Sequence, residues 1–291
     1  MYLLFCPCIR DQGLRASGIT HERDIRAFDQ ALSRCRSFGI EVRFLPCPET
    51  LYLGADRQPA TYSERLDTPE FRILLDKLEQ EIRSMITAEG SPYAIVGVDS
   101  SPTCGVNRTW RSPVGRKAGR GAFLERFPDI PVYDVYAVAA CRIYLAGPLF
   151  SEAERNWNIR IAEYLRSYAY DVYLPQEIGD SSASRGLDAH LEIFTRNLST
   201  LDTSDFVVAV IDGADADSGT AWEMGYANAK GVPVYALRTD FRMVGATEHV
   251  NLMLEQSAVV TRSLEELRDA LPFPIPAASS SGKKEQQGRG T

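Results

Sequence analysis

The chain lacks an excess of positive charge. Its 291 residues carry 32 Lys and Arg against 39 Asp and Glu, a net charge of −7. The basic footprint of a nucleic-acid surface is therefore missing, and a polymer partner is not expected. A membrane-length apolar run is missing too. The longest candidate, "IPVYDVYAVAACRIYLAGPLF", is broken by Asp134, Arg142 and two prolines and reads as consecutive strands. The opening "MYLLFCPCIRDQG" is apolar for only a few residues and has no basic leader, so no secretory signal is expected and a cytoplasmic location is. There the six cysteines read as thiols or metal ligands rather than disulfides. No internal repeat of about 20–50 residues is visible.

What is present is two rounds of strand and helix. In the first, "YLLFCPC", "IEVRFLPC" and "YAIVGVDSS" are apolar strand signals. Between them lie "THERDIRAFDQALSRCRSFG", with Thr20 as cap and Gly39 as stop, and "TPEFRILLDKLEQEIRSMITAEG", with Thr68 as cap and Pro69 at the first helical position. "GVNRTWRSPVGRKAGRGAF" reads as a polar Gly- and Arg-rich loop. The second round runs "RIYLAGPLF", "SEAERNWNIRIAEYLRSYA", "YDVYLP", "GLDAHLEIFTRNLSTLDTSD" and "FVVAVID", then "DADSGTAWEMGYANAKGVPVYAL". Continuous apolar strands between helices predict an α/β chain of two successive parallel-sheet domains, covering 1–138 and 139–273. The polar tail, 274–291, is expected to be disordered.

In the last stretch, "TAWE" fits a capping box, Thr220 as cap and Glu223 three residues on. A second reading is chemical. The loop "DGADADSG" follows a strand end, where α/β proteins bind ligands. Gly213 and Gly219 let backbone approach a ligand, and Asp217 can reach the same cleft as Glu223. Two carboxylates are the machinery of glycosyl transfer with retention, one as nucleophile and one as acid. A helix N-terminus would keep the nucleophile ionised.

"IYLAGPLF", "TRNLSTLDTSDFVVAV", "DSGTAWEMGYANAKGVPV" and "NLM" occur in the order seen in the nucleoside 2-deoxyribosyltransferase family, which residues 141–270 resemble. The resemblance implies a flavodoxin- or Rossmann-like domain and an enzyme that cleaves or exchanges the N-glycosidic bond of 2′-deoxynucleosides. It needs no cofactor. By position, Glu223 is the nucleophile of a covalent intermediate, Asp217 holds and protonates the base, and Tyr144 orients Glu223. Gly147, Gly219 and Asn197 line the substrate site. Asn251 and Met253 reach the sugar of a neighbouring subunit, so a homo-oligomer is implied. Asn197 stands where family members can carry Asp, and an amide cannot protonate a base. Relatives of this fold also hydrolyse nucleoside monophosphates, for which Ser151 and Arg155 are the phosphate candidates; a helix cap and a solvated arginine are their plain alternatives. Trp222 and Tyr226 read as structural, on opposite sides of Glu223.

Among the cysteines, Cys35 falls on an apolar helix face and Cys141 at a strand start, and both read as buried thiols. Cys8, Cys47 and Cys104 each follow a strand, and three strand ends can converge on one point. Their separations, 39 and 57 residues, fit no zinc finger. "CPET", "SSPTCG" and "GRGAFLERFPDIPVYD" resemble the thiouracil desulfidase-related family over about residues 1–135. That resemblance implies a 4Fe–4S cluster on Cys8, Cys47 and Cys104, with Cys6 the rival for the first ligand. Glu49 and Ser101 are implied as proton donor and hydrogen-bond partner beside it; a solvated turn residue and a turn former are their alternatives.

Together these features predict a two-domain enzyme acting on small nucleosides and nucleobases. A nucleoside or nucleotide glycosidic hydrolase, and a base-sensing protein without turnover, stay open as alternatives.

Overall fold

The strands assemble into two separate parallel sheets, one in each of the units Met1–Ala139 and Ala140–Pro276. The structure is a computed structural model and describes residues 1–178, 187–243, 245 and 248–277, except the side chain of Asp188. Most of the tail expected to be disordered, 278–291, lies outside the described residues.

In the first unit the order is β1 (Tyr2–Phe5), α1 (Glu22–Ser37), β2 (Glu41–Phe44), α2 (Pro48–Leu53), α3 (Tyr62–Arg65), α4 (Pro69–Glu89), β3 (Ala94–Gly97), β4 (Arg108–Ser112), β5 (Gly115–Ala118), β6 (Val132–Asp134) and α5 (Val135–Ala139). The sheet is β2-β1-β3-β6, all parallel. Every residue of β1 and β3 is buried, as their unbroken apolar runs require of central strands. Thr68 caps α4 as expected, its hydroxyl accepting from Phe71 N at 3.1 Å. For α1 the cap is His21, not Thr20. His21 N donates to Asp24 at 2.8 Å, while the Thr20 hydroxyl accepts from Arg15. The Gly/Arg-rich stretch is not all loop. It holds the antiparallel hairpin of β4 and β5, which turns through Ser112–Pro113–Val114–Gly115, with Gly115 at φ 153°. A turn proline and a permissive glycine give that reversal its chemistry.

The second unit runs β7 (Arg142–Ala146), α6 (Glu152–Arg166), β8 (Asp171–Tyr173), α7 (Leu187–Thr203), β9 (Phe206–Val210), α8 (Ser218–Lys230), β10 (Val234–Leu237), α9 (Leu252–Gln256), β11 (Val259–Thr261) and α10 (Leu264–Ala270). Its parallel sheet has the order β8-β7-β9-β10-β11. The order reverses between β7 and β9, and the crevice at such a reversal is where doubly wound sheets bind ligands. Side chains alternate between two cores. Ile143, Leu145, Phe206, Val208 and Val210 pack on the side of α6 and α10. Tyr144, Ala146, Val207 and Ala209 pack on the other, with Leu201 of α7 and Met224 and Ala227 of α8. Tyr144 is therefore placed by strand period on the face that carries α7 and α8. No helix among the described residues is long and apolar enough to cross a membrane.

Candidate functional site

In the first unit, residues that follow β1, β2 and β3 line a cavity of about 670 Å³. Cys8 lies in a 3-10 turn after β1, Cys47 caps α2 after β2, and Cys104 follows β3. All three line the cavity, and so does Cys6. Burial pushes the Cys8 thiol up to about 12; Cys104 adds to this and Arg15 opposes it. Cys47 is raised by burial and by Cys104, and Cys6 by its hydrogen bond with Cys104 and by burial. Cys6, Cys8 and Cys47 therefore resist ionisation unless a cation joins them.

Glu49 is not a solvated turn residue. Its Oε1 accepts from Thr103 Oγ1 at 2.7 Å and from Ser101 Oγ at 3.1 Å, and its Oε2 faces Arg57 Nη2 at 3.4 Å. Arg57 is 5% exposed and also donates to Leu14 O at 2.7 Å. The arrangement holds one carboxylate still at the cavity wall. Arg57 and Thr103 were not legible as site residues, because only the fold brings α2 and the turn after β3 together.

No group of three or more Cys, His, Asp or Glu among the described residues is gathered closely enough for one metal ion.

In the second unit Tyr144 of β7 meets Glu223 of α8, on the sheet face that carries α7 and α8. Tyr144 Oη donates to Glu223 Oε1 at 2.5 Å. Burial pushes the Glu223 carboxyl up to about 7; the Tyr144 bond pulls it down and the Asp217 charge pushes it up. The Tyr144 phenol is itself raised, by burial and by Glu223, and stays the proton donor of the pair. Two expectations are corrected here. Asp217, not Thr220, caps α8, its Oδ2 accepting from Gly219 N at 3.0 Å and Thr220 N at 3.1 Å. Glu223 therefore sits in the second helical turn and belongs to no capping box. Nor is it held ionised as an ordinary carboxylate would be, because burial raises its proton affinity.

Residues 143–261 match the nucleoside 2-deoxyribosyltransferase family model. The second unit belongs to that family. The chain is 31% identical over 116 residues to an uncharacterized protein of Ureaplasma parvum, a match spanning 35% of this chain and 72% of that one. Among solved structures, a 2-deoxyribosyltransferase of Bacillus psychrosaccharolyticus is 26% identical, with 47% of this chain and 99% of that one covered at a TM-score of 0.39. A 4Fe–4S-dependent thiouracil desulfidase is 19% identical, with 46% and 89% covered at a TM-score of 0.32.

The remaining candidate residues of the deoxyribosyltransferase unit fall in different places. Asn197 lies on α7 and accepts from Tyr173 Oη at 2.8 Å. Gly147 follows β7, where an added Cβ would lie 2.8 Å from Asn158 Oδ1 and 3.3 Å from Val210 Cβ, so a side chain there would make Asn158 shift. Gly219 donates to the Asp217 cap, and Gly213 takes φ 116° in the loop before it. Asn251 caps α9 by accepting from Met253 N at 3.0 Å, and Met253 is 75% exposed. Trp222 and Tyr226 do not straddle Glu223; they stack on one face of α8 with centroids 5.3 Å apart. Ser151 and Arg155 are engaged locally. Ser151 and Glu154 form the capping box of α6, and Arg155 donates to Leu149 O at 2.9 Å.

Proposed function

We propose that the second unit cleaves and exchanges the N-glycosidic bond of 2′-deoxynucleosides through a covalent intermediate on Glu223. The Tyr144–Glu223 hydrogen bond carries this reading. Tyr144 holds Oε1, which leaves Oε2 to attack C1′ of the sugar. The C1′–N bond breaks, its electron pair passes to the base nitrogen, and that nitrogen is protonated through Asp217, which must take up a proton as the substrate binds. Both cap bonds of Asp217 fall on Oδ2, so Oδ1 is available for that contact. An incoming base nitrogen then attacks C1′, passes its proton back to Asp217 and frees the Glu223 carboxylate; with water as the attacking group and the same proton transfer, the outcome is hydrolysis. Asn197 meets the base. Asn251 and Met253, exposed on α9, serve the site of a neighbouring copy in a homo-oligomer. The acidic capping box at the start of α6 disfavours a substrate phosphate there, which supports nucleosides over nucleotides.

For the first unit, covering about 1–138, the donor set fits a 4Fe–4S cluster on Cys8, Cys47 and Cys104. Cys104, which is buried, and Cys8 and Cys47, which are half-buried, line one cavity beside a fixed carboxylate. When bound, such a cluster would offer an open iron to the sulfur of a thiolated base. Glu49 would be the group that passes a proton to the substrate at the cavity wall, and Ser101 would keep its carboxylate aligned.

The test is incubation with a 2′-deoxynucleoside and a second free base, followed by chromatography. New nucleoside supports exchange, and free sugar supports hydrolysis. Neither product, with base still bound, would leave only a sensor.

A further inference from the structure

Tyr173 was in none of the motifs, yet it joins two parts of the cleft. It stands opposite Tyr144 in the β7–β8 register, and the rings stack at 5.4 Å with an interplanar angle of 23°. Its phenol donates to Asn197 Oδ1 at 2.8 Å. Asn197 lies one helical turn before Leu201, whose side chain packs into the core beneath Tyr144. Glu223, Tyr144, Tyr173 and Asn197 thus form one connected row, from the carboxylate on α8 to the amide on α7.

We infer that Tyr173 is a positioning residue that fixes which base the cleft accepts, by turning Asn197 into a hydrogen-bond donor. The inference rests on the reading of Asn197 as a base contact. A free Asn amide offers one acceptor and two donors, and with both it matches the amino group and ring nitrogen of adenine. Here the amide oxygen is held by the Tyr173 phenol, so Nδ2 is the end turned away from it. An N–H donor meets a carbonyl well and an exocyclic amino group badly, because donor then faces donor. The cleft should therefore favour 6-oxopurines and 4-oxopyrimidines over their 6-amino and 4-amino counterparts. A bare phenylalanine at 173 would keep the ring stack on Tyr144 and release the amide to flip.

The test is calorimetric titration of the full chain with hypoxanthine and adenine, and with uracil and cytosine. The wild type should bind each oxo base about tenfold more tightly than its amino partner, which is about 1.4 kcal/mol. In Tyr173→Phe the ratio should fall to about twofold or less. Asn197→Ser should lose it from the other side of the pair, so the result does not depend on one variant folding. A merely structural tyrosine would weaken all four bases in parallel and leave the ratios alone. Equal binding of oxo and amino bases by the wild type, ratios that survive in Tyr173→Phe, or no binding of any base would each overturn the inference. Selective binding without glycosidic cleavage would instead sink the proposed reaction and leave the base preference standing.

Discussion

Replacing Glu223 with glutamine should leave stability unchanged in acid and raise it at neutral pH. Burial lifts this carboxyl from 4.5 to about 7 in the folded chain. The unfolded chain gives up the proton near its ordinary value, while the folded chain keeps it. Between those limits the folded state binds more protons, so its stability falls as pH rises, and above about 7 the loss is complete. A rise of about 2.5 pH units corresponds to about 3 kcal/mol. Glu223 is only partly buried, and solvent screening reduces this to about 1–2 kcal/mol. Glutamine keeps the shape, accepts the Tyr144 bond through its amide oxygen and cannot ionise. At about 3–4 °C per kcal/mol, Glu223→Gln should melt about 3–8 °C above the wild type at pH 8 and level with it at pH 4. Melting curves from pH 4 to pH 9 provide the measurement. A difference that does not change with pH, or a variant less stable at pH 8, would refute the reasoning.

Tyr144→Phe removes the bond that pulls Glu223 down, so the rising limb of the kcat/KM–pH profile should move to higher pH and the rate at pH 7 should fall. A lower rate with an unmoved profile would count against it. Gly147→Ala should cost about 1–3 kcal/mol in denaturant unfolding, because its methyl would press on Asn158 and Val210. After anaerobic iron reconstitution, Cys8→Ser, Cys47→Ser and Cys104→Ser should each lower bound iron and visible absorbance, while Cys35→Ser, buried within α1, should not. Undiminished iron in all three would remove the cluster reading. Loss of iron in Cys6→Ser with retention in Cys8→Ser would exchange the first ligand.

The parallel sheets were legible because unbroken apolar strands between amphipathic helices leave few other ways to bury both faces. That Tyr144 and Asp217 would act on Glu223 was legible from their motifs, but the manner was only half so. Sequence spacing makes "TAWE" a capping box, whereas an aspartate three residues before Thr220 wins the cap and moves Glu223 into the second turn. The direction of its proton affinity was hidden as well, since desolvation depends on what the fold places over the carboxylate. Tyr173 escaped notice for a related reason. Its role depends on the β7–β8 register, and nothing in "YDVYLP" states which residue of β7 it will face. The β4–β5 hairpin was concealed by its arginines, which resemble a loop in composition although the Pro113–Gly115 turn is its signal.

The most direct test of the central claim is mass spectrometry of the Glu223 peptide, quenched after incubation with a 2′-deoxynucleoside and no acceptor base. The account predicts one 2-deoxyribosyl group on Glu223, removed when a free base is added. Turnover with Glu223 unmodified, or full exchange activity in Glu223→Ala, would contradict it.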